Sequence, residues 1–292
     1  MTTLALIGKG RWGKKYINTI SNLSSCELPD KFIKTTNYRD LFASDNIDGV
    51  IIATPASTHF QIAKEFLEKG FNLLIEKPMT TSLSDALKLK KSQGRSTVMV
   101  GHIFRYNPYF IELQKQIKKI GKIKSIHSEG MNNGPFRDDV SALWDYAPHD
   151  ISMIVSLLGN PLSASASETG PNSGDSYTLK LKFSGDLSIS SKVSRVSSVK
   201  KRNLFIIGEK GEIIFDDVSN KKLLVKIFAE NRKYYPQVSK ITPLENELLE
   251  FIDCIKTKRR PKTDLDEAIV TIKVLEAAEE SIKQDGKEIN LD

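Results

Sequence analysis

Short apolar runs alternate with amphipathic stretches along the first half of the chain. The apolar runs predict strands because they are short and mostly β-branched or large; they are TLALIG (3–8), GVIIATP (49–55), NLLIEKP (72–78) and TVMVGHIF (97–104). The stretches between them predict helices. In THFQIAKEFLEKG (58–70), Ile62, Phe66 and Leu67 share one face, and Gly70 ends the helix. Strands that alternate with helices are typical of a doubly wound parallel sheet.

The pattern changes after Gly121. One helix, HDISMIVSLLG (149–159), is followed by strands with period-two alternation, such as DSYTLKLKF (175–183), where Leu179 alternates with Lys180. LFIIGEKGEIIF (204–215) predicts two strands joined by a hairpin turn. Two helices close the chain, and the last carries one apolar stripe formed by Ala268, Ile272, Leu275, Ala278 and Ile282. The fold class is therefore α/β: an N-terminal Rossmann doubly wound parallel sheet (1–120), followed by an α+β domain with a largely antiparallel open sheet (121–292). Packing of the C-terminal helices back on the first domain is left open.

Composition narrows the class of protein. The 292 residues are enough for two domains, and the fractions of apolar (39%) and charged (27%) residues are those of a soluble globular protein. The chain has no apolar run that reaches the roughly 20 residues of a membrane span. MTTLALIGKG shows no leader, and Cys26 and Cys254 are too few for a disulfide framework. We therefore expect a cytoplasmic protein without membrane association and without a metal site.

The formal charge of +7 is spread over most of the predicted helices. Two short basic clusters, 200–202 and 258–260, are not interleaved with aromatic residues, so they indicate solvated surface and not a nucleic-acid site. A phosphorylated or nucleotide-bearing substrate is compatible with this charge. We expect no nucleic-acid partner.

A glycine motif lies directly after the first predicted strand. Gly8, Gly10 and Gly13 fit G-x-G-x-x-G and open a helix, which is the context that dinucleotide binding requires. The helix N-terminus offers free N–H groups to phosphates. The alternative is a tight strand–helix turn that binds nothing.

The acidic residue that reads the adenosine ribose is expected about 20 positions further on. Glu27 and Asp30 lie at that distance, but SCELPDKF (25–32) is a poor strand, and the second strand and its helix are abbreviated. Lys31 and Lys34 would equally favour a 2′-phosphate. The choice between NAD and NADP stays open at this point.

Polar residues follow the predicted strands where a ligand crevice is expected. Thr54 and Pro55 end one strand, with His59 in the first turn of the next helix, and Glu76, Lys77 and Pro78 end another. Because ligands bind at the carboxyl ends of parallel strands, Lys77 is expected to face this crevice and not the core. The alternative for Lys77 is an ordinary exposed lysine.

The glycine motif is the first of an ordered series of segments. The others are ATPASTHF (53–60), IEKPMT (75–80), GHIFRYNP (101–108), WDYAPHD (144–150), GEKGEIIFDD (208–217) and PKTDLDEAIVTIKVLEAAEES (261–281). In this order the series resembles the glucose–fructose oxidoreductase/inositol dehydrogenase (Gfo/Idh/MocA) family over nearly the whole chain. G-x-G-x-x-G is shared with many families, whereas E-K-P with a downstream D-x-x-x-H is more specific.

The resemblance implies an NAD(P)-dependent dehydrogenase or reductase that acts on a CH–OH group of a sugar, cyclitol or nucleotide sugar. It implies a catalytic set of Lys77, Asp145 and His149. An imidazole suits general acid–base chemistry near neutral pH, an ammonium stabilises a developing alkoxide, and a carboxylate orients the imidazole. The residues expected to bind the cofactor are Gly8, Lys9, Gly10, Arg11, Trp12, Thr54, Pro55, His59, Glu76 and Lys77.

Other residues of the series are candidates for substrate binding. They are Arg105, Tyr106, Asn107, Arg137 and Trp144. Each has a structural alternative: Asn107 caps a helix that starts with Pro108, Tyr106 and Trp144 pack in the core, and His149 lies at a capped helix start. The members of the family often associate through the open sheet, which makes a homo-oligomer possible, but Lys180, Lys182 and Lys192 make the wet face of this sheet unusually polar.

Two other functions remain open from the sequence. One is a cofactor-binding regulator that performs no chemistry. The other is a glycoside hydrolase that oxidises its substrate transiently with a cofactor that it never releases. The intact set of Lys77, Asp145 and His149 favours an oxidoreductase.

Overall fold

A computed structural model of the chain describes residues 1–136, 139–169, 175–185 and 187–291. Its α-helices are α1 (Arg11–Ile20), α2 (Ala56–Glu68), α3 (Leu83–Ser92), α4 (Pro108–Gln116), α5 (Ala142–Leu158), α6 (Pro243–Thr257) and α7 (Leu265–Lys283). Its strands are β1 (Thr2–Ile7), β2 (Cys26–Glu27), β3 (Ile33–Lys34), β4 (Gly49–Ile52), β5 (Leu73–Glu76), β6 (Val98–Gly101), β7 (Ile123–Asn133), β8 (Ser163–Glu168), β9 (Ser176–Lys182), β10 (Ser188–Ser194), β11 (Val196–Gly208), β12 (Gly211–Asp216), β13 (Leu223–Ile227), β14 (Arg232–Tyr234) and β15 (Ile289–Asn290).

The chain divides into two compact units. The first comprises Met1–Tyr106 and Ile241–Ile272, and the second comprises Asn107–Lys240 and Lys273–Asp292. The sequence placed the boundary at residue 120 and left open that the C-terminal helices pack back on the first domain. In the structure, the segment that leaves the first unit does so before Asn107, and residues 241–272 return to it.

The first unit contains a parallel sheet with the strand order β2-β1-β4-β5-β6, and β3 also pairs with β1. Its central strands are buried on both faces, as parallel strands covered by helices must be. The predicted face of α2 is buried, and Ser82 and Asn107 cap α3 and α4 as expected. The predicted doubly wound parallel sheet is confirmed.

One edge of this sheet departs from the usual doubly wound pattern. β2 pairs with β1 at Thr2 and Thr3, whereas β3 pairs with the same strand at Leu6 and Ile7. β4 occupies the opposite side of β1. The segment between β2 and β3 is a 3₁₀ turn, Asp30–Phe32, in place of a crossover helix. β2 and β3 therefore act as one interrupted edge strand, which confirms that this region is abbreviated.

Helix α6 completes the core of the first unit. Leu248 and Phe251 are fully buried against the sheet, and each contributes on the order of 2–3 kcal/mol through burial. Gly49 of β4 leaves room for this helix, since a Cβ at that position would lie 2.9 Å from the ring of Phe251. The return of this late segment therefore depends on a small residue almost 200 positions earlier.

The second unit contains a mixed sheet of nine strands in the order β14-β13-β12-β11-β7-β10-β9-β8-β15. β10 pairs with β7 in parallel, and the other pairs are antiparallel. The largely antiparallel sheet is confirmed, as are the β11–β12 hairpin and the burial of Leu179 and Leu181.

Helix α5 packs against β7, β9 and β10 on one face of this sheet. It begins at Ala142, seven residues before the predicted start at His149. Pro148 therefore lies inside the helix and not in its first turn, and it has no N–H to donate to the carbonyl of Trp144. On the opposite face Lys180 and Lys182 are exposed, so association through this face stays a prediction.

Candidate functional site

The glycine loop after β1 has the geometry that a pyrophosphate needs. Gly8 has a φ of +106°, and a Cβ there would lie 2.3 Å from the carbonyl oxygen of Ala53. A Cβ on Gly13 would lie 2.0 Å from the Gly8 oxygen, whereas one on Gly10 would meet no atom within 4 Å. Gly8 and Gly13 are thus required by packing, and Gly10 opens the backbone at the N-terminus of α1 to a ligand.

The flanking residues of this loop differ in exposure. Lys9 and Arg11 are exposed, and Trp12 is half-buried with the Lys15 ammonium 4.1 Å from its ring centroid. The loop therefore adds two accessible cations to the partial positive charge of the helix N-terminus. Both observations fit the phosphates of a nicotinamide dinucleotide.

His59 braces two strand ends. Its Nδ1 lies 2.8 Å from the Pro78 carbonyl oxygen after β5, and its Nε2 lies 2.9 Å from the Thr54 carbonyl oxygen after β4. The ring is 1% exposed, so both contacts are shielded from water. The imidazole therefore fixes the E-K-P segment relative to the end of β4, while Thr54 is half-buried and Pro55 exposed. Contact of these residues with a cofactor stays a prediction.

Glu76 of the E-K-P segment belongs to a buried network. The Tyr16 hydroxyl on α1 lies 2.9 Å from Glu76 Oε1 and 3.1 Å from Glu247 Oε2 on α6. Burial raises the pKa of Glu76 to about 7, against the opposing effects of the Lys77 charge and the Tyr16 hydroxyl. Burial, followed by the Glu76 charge, raises the pKa of Glu247 well above its ordinary value. At least one of the two carboxyl groups therefore keeps a proton in neutral solution.

Lys77 directly follows β5 and is 6% exposed. The Lys77–Pro78 peptide bond is cis. Nearby, burial, together with the smaller effects of the Arg105 and Lys77 charges, lowers the pKa of His102 to about 3. His102, at the end of β6, is therefore a neutral imidazole. Lys77 lies at the carboxyl edge of the parallel sheet, as predicted, but it is largely buried there.

Arg105 and Tyr106 lie in a 3₁₀ turn after β6 and contact the start of α7 and the segment before it. Arg105 Nη1 lies 2.8 Å from Glu267 Oε1, and burial raises the pKa of Glu267 to about 7, which the Arg105 charge opposes. Tyr106 is 1% exposed, and its hydroxyl lies 2.8 Å from Thr263 Oγ1. The packing alternative therefore describes Tyr106 in the structure, and a substrate contact stays a prediction.

In the second unit, Asp145 and His149 lie on α5. Their spacing of four residues places them one turn apart on the same face of the helix. Both are buried, at 5% and 7% exposure. The start of α5 seven residues upstream of His149 is what brings Asp145 into the helix, because a helix that began at His149 would leave Asp145 in a loop.

Arg195, at the end of β10, holds the first turn of α5. It is 2% exposed, and its guanidinium lies 3.5 Å from Asp145 Oδ2 and 3.3 Å from Asp175 Oδ2. It also donates to the Val140 carbonyl, while Asp175 accepts a hydrogen bond from the backbone N–H of Ala142. Arg195 was not predicted from the sequence, where its only signal is an arginine directly after an alternating strand.

A second arginine holds the next turn of the helix. Arg202 Nη1 on β11 lies 2.8 Å from Asp150 Oδ1, and Ser191 donates to the other carboxylate oxygen. Asp150 is fully buried, which raises its pKa against the effect of the Arg202 charge. Arg202 lies over Gly130, where a Cβ would be 2.7 Å from its guanidinium. Two strand arginines thus fix the part of α5 that carries His149.

The remaining predicted substrate residues have structural contacts. Asn107 accepts a hydrogen bond from the N–H of Tyr109 and donates to Asp217, and Trp144 is 5% exposed with its indole N–H donating to Glu279. Arg137 lies outside the described residues. Roles in substrate binding stay predictions for all three.

No helix within the described residues is long and apolar enough to cross a membrane. The described residues also contain no group of three or more histidine, cysteine, aspartate or glutamate side chains that could hold a metal ion.

Comparisons with known proteins match both parts of the chain. The family model for the NAD-binding Rossmann fold of the Gfo/Idh/MocA oxidoreductases matches residues 27–102, and the model for the C-terminal α/β domain of the same family matches residues 114–291. An oxidoreductase structure from Magnetospirillum magnetotacticum is 29% identical, with a TM-score of 0.86, and covers 95% of this chain and 99% of that one.

Curated relatives match over shorter stretches. UDP-N-acetylglucosamine 3-dehydrogenase of Acidithiobacillus ferrooxidans is 30% identical over 118 residues, 39% of this chain and 36% of the relative. Inositol 2-dehydrogenase 2 of Saccharopolyspora erythraea is 28% identical over 135 residues, 44% of this chain and 40% of the relative. The alignments with two other curated oxidoreductases cover 59% and 54% of their lengths, so the chain spans about half the length of the relatives it matches first. Because the C-terminal model alone matches more than half of the chain, this protein belongs to the Gfo/Idh/MocA oxidoreductase family.

Proposed function

We propose that this protein transfers a hydride between a nicotinamide dinucleotide and a secondary alcohol or ketone carbon of a sugar, cyclitol or nucleotide sugar. The observation that carries the proposal lies in the first unit. A glycine loop that is open at Gly10 and an E-K-P segment braced by His59 share the carboxyl edge of one parallel sheet. This is the edge at which doubly wound sheets bind dinucleotides.

The proposal assigns one task to each of three side chains. The dinucleotide, when bound, supplies or accepts the hydride. His149 takes the proton from the substrate hydroxyl during oxidation and returns it during reduction. Lys77 stabilises negative charge that develops on a substrate oxygen, because an ammonium in a buried setting acts through a low local dielectric. Asp145, one turn before His149, orients the imidazole, and Arg195 holds Asp145.

The substrate class rests on the family and its relatives. Two relatives that match this chain are named as dehydrogenases of an inositol and of a nucleotide sugar. Both named substrates carry secondary hydroxyl groups, which is the chemistry that the assigned residues suit. A positively charged chain is compatible with a phosphorylated or nucleotide-bearing substrate.

Substitution of Lys77 tests the proposal. The test begins with a panel of cyclitols, sugars and nucleotide sugars, on which turnover is followed by nicotinamide absorbance. Lys77→Met keeps side-chain volume but removes the ammonium, so we expect kcat to fall at least about 100-fold. Dinucleotide affinity, measured by calorimetry, should fall by a much smaller factor than kcat. Lys91→Ala removes an exposed lysine of the same unit and serves as the matched control.

The outcomes separate the three functions considered. Full turnover in Lys77→Met would contradict the assigned role of the ammonium. Dinucleotide binding without turnover on any member of the panel would favour a regulator. Release of free sugar from a glycoside with no net change in nicotinamide absorbance would favour a hydrolase.

A double-mutant cycle tests whether Lys77 and His149 serve the same transition state. If they do, the loss of kcat in Lys77→Met with His149→Ala will be much smaller than the product of the single losses. Independent, multiplicative effects would contradict the assignment of both residues to one proton and hydride transfer.

A further inference from the structure

The sheet edge beside the glycine loop has an unusual construction. β3 lies next to the last residues of β1, with Ile7 opposite Lys34, and the Gly8 N–H donates to the Lys34 carbonyl at 2.8 Å. Lys34 is therefore the last residue of the edge strand and is joined directly to the glycine loop. In a doubly wound dinucleotide site, the residue that contacts the adenosine 2′ position follows this strand end.

The two acidic candidates from the sequence do not lie at this position. Glu27 pairs with Thr3, four residues before Ile7 along β1, which places it about 13 Å away along the strand. Its carboxylate accepts a hydrogen bond from the Thr3 hydroxyl. Asp30 belongs to the 3₁₀ turn that precedes β3. Neither carboxylate follows the end of the edge strand.

The residues that do follow the strand end are Thr35, Thr36 and Asn37, all exposed. They carry hydroxyl and amide groups, which hydrogen-bond to phosphate oxygens without adding negative charge. The Lys34 side chain is 25% exposed, and Lys9 and Arg11 of the loop are exposed. The positions directly after the strand end therefore carry hydroxyl and amide groups in place of a carboxylate, and the cation Lys34 directly precedes them.

The carboxylate of Asp40 lies close enough to Lys34 to compete with a bound phosphate for the ammonium group. Asp40 Oδ2 lies 3.4 Å from Lys34 Nζ, but its side chain is 63% exposed, and an exposed pair of this kind is weak. Arg39, by contrast, is held by two hydrogen bonds to Glu65 and is less available to a ligand. A phosphate can therefore compete with Asp40 for Lys34.

We propose that this chain prefers NADP(H) over NAD(H), with Lys34 as the cation that binds the 2′-phosphate and Thr35 and Thr36 as hydroxyl donors. The inference rests on the proposed function, because it concerns the adenosine end of the same dinucleotide site. The shortened edge ends at Lys34, directly before the residues that take the place of the ribose-binding carboxylate of an NAD site.

Binding to the full-length protein tests the preference independently of turnover. The probes are NADPH, NADH, and the pair ADP-ribose 2′-phosphate and ADP-ribose, which lack nicotinamide, all titrated by calorimetry. We expect each 2′-phosphorylated member to bind about tenfold or more tightly than its partner. Lys34→Ala should remove about tenfold from the affinity for NADPH and leave that for NADH within twofold. Lys69→Ala is the matched control, because it removes an exposed lysine of the same unit, at the C-terminal end of α2.

Asp40→Asn tests the same preference by removing the carboxylate that pairs with Lys34. It should leave NADH affinity unchanged and maintain or increase that for NADPH, because Lys34 loses a competitor. A selective loss of NADH affinity would show that Asp40 binds the ribose hydroxyl and would overturn the inference. NADH binding at least as tight as NADPH would also overturn it, while leaving the proposed function intact. Binding of neither dinucleotide would overturn the proposed function itself.

Discussion

Both units bury carboxyl groups close to their predicted catalytic residues, but the neighbours of those groups differ. In the first unit, Glu76 and Glu247 share the hydroxyl of Tyr16, and burial raises both pKa values. In the second unit, Asp145 and Asp150 each lie within 4 Å of an arginine from a strand, at 3.5 and 2.8 Å. The first pair is accommodated mainly by retention of a proton, and the second mainly by ion pairing.

Because of this difference, the folding stability of the two units should respond to different changes. A buried carboxyl that keeps a proton makes folding stability depend on pH. A buried ion pair makes stability depend on both partners, because removal of one leaves the other charged and desolvated. The first unit should therefore respond most to pH, and the second most to the loss of an arginine.

The largest expected effect is the loss of Arg202. Arg202→Ala leaves Asp150 fully buried without its cation, which should lower the free energy of unfolding by about 3–5 kcal/mol. Urea denaturation at pH 8 measures this change. At pH 5 the loss should be smaller, because the abandoned carboxyl group can take up a proton.

Two variants sharpen this test. Lys201 lies next to Arg202 on β11 and forms a more exposed ion pair with Glu129 of β7. Lys201→Ala should therefore lower the free energy of unfolding by less than about 1 kcal/mol. Asp150→Asn added to Arg202→Ala should recover part of the stability, since no buried charge then remains. Equal losses for Arg202→Ala and Lys201→Ala would contradict the distinction between buried and exposed pairs.

The next effect is the pH dependence that comes from the first unit. The folded protein retains protons on Glu76 and Glu247 that the unfolded chain releases above about pH 4.5. The stability that these groups provide is therefore complete below that pH and is lost as the pH rises through about 7. A shift of the size found for Glu76 corresponds to a loss of about 3 kcal/mol.

Glu247→Gln tests this linkage. It replaces the carboxyl, whose own pKa is raised by burial and by the Glu76 charge, with a neutral group of the same shape. The decline in unfolding free energy from pH 5 to pH 8, obtained from urea titrations, should become shallower by about 1–3 kcal/mol. Glu68→Gln alters an exposed carboxylate and should leave the decline unchanged. An unaltered decline in Glu247→Gln would contradict the retention of a proton on Glu247 in the folded protein.

Substitution of Arg195 is expected to have a smaller effect, on catalysis. Arg195→Lys keeps the charge but loses the planar fork that reaches Asp145, Asp175 and the Val140 carbonyl. We expect kcat/KM to fall about tenfold, with an altered pH profile because the imidazole loses its fixed orientation. Dinucleotide affinity should not change, since Arg195 belongs to the second unit. Lys200→Ala is the control, and a parallel loss of dinucleotide affinity would contradict a role that acts through Asp145.

Local signals were sufficient for much of the fold. The strands of the parallel sheet, the face of α2, the caps at Ser82 and Asn107 and the stripe of α7 follow from neighbouring residues, because periodicity and capping are local properties. The start of α5 was missed because Pro148 indicates a first turn, and packing against β10 and β7 outweighs this preference.

The residues of the candidate site also fall into those that local motifs predict and those that depend on distant partners. Gly8, Gly10, Gly13 and Lys77 were found because their motifs lie next to strand ends. Tyr16, Glu247 and Arg195 were missed, since each acts through a partner far away in sequence; Tyr16 and Glu247 are separated by 231 positions. Nothing local distinguishes such residues from ordinary core or surface positions.

Local patterns along the chain were sufficient to predict the order of strands and helices, the position of the glycine loop and the E-K-P segment, and the spacing of Asp145 and His149. Long-range packing fixes which part of the C-terminal segment returns to the first unit, residues 241–272. It also places β2 and β3 on one edge of β1 and lets Arg195 and Arg202 hold α5. These two groups of features differ in the distance along the sequence over which their causes act. Periodicity and turn chemistry act over a few residues, whereas burial and ion pairing depend on which distant segments exclude water together.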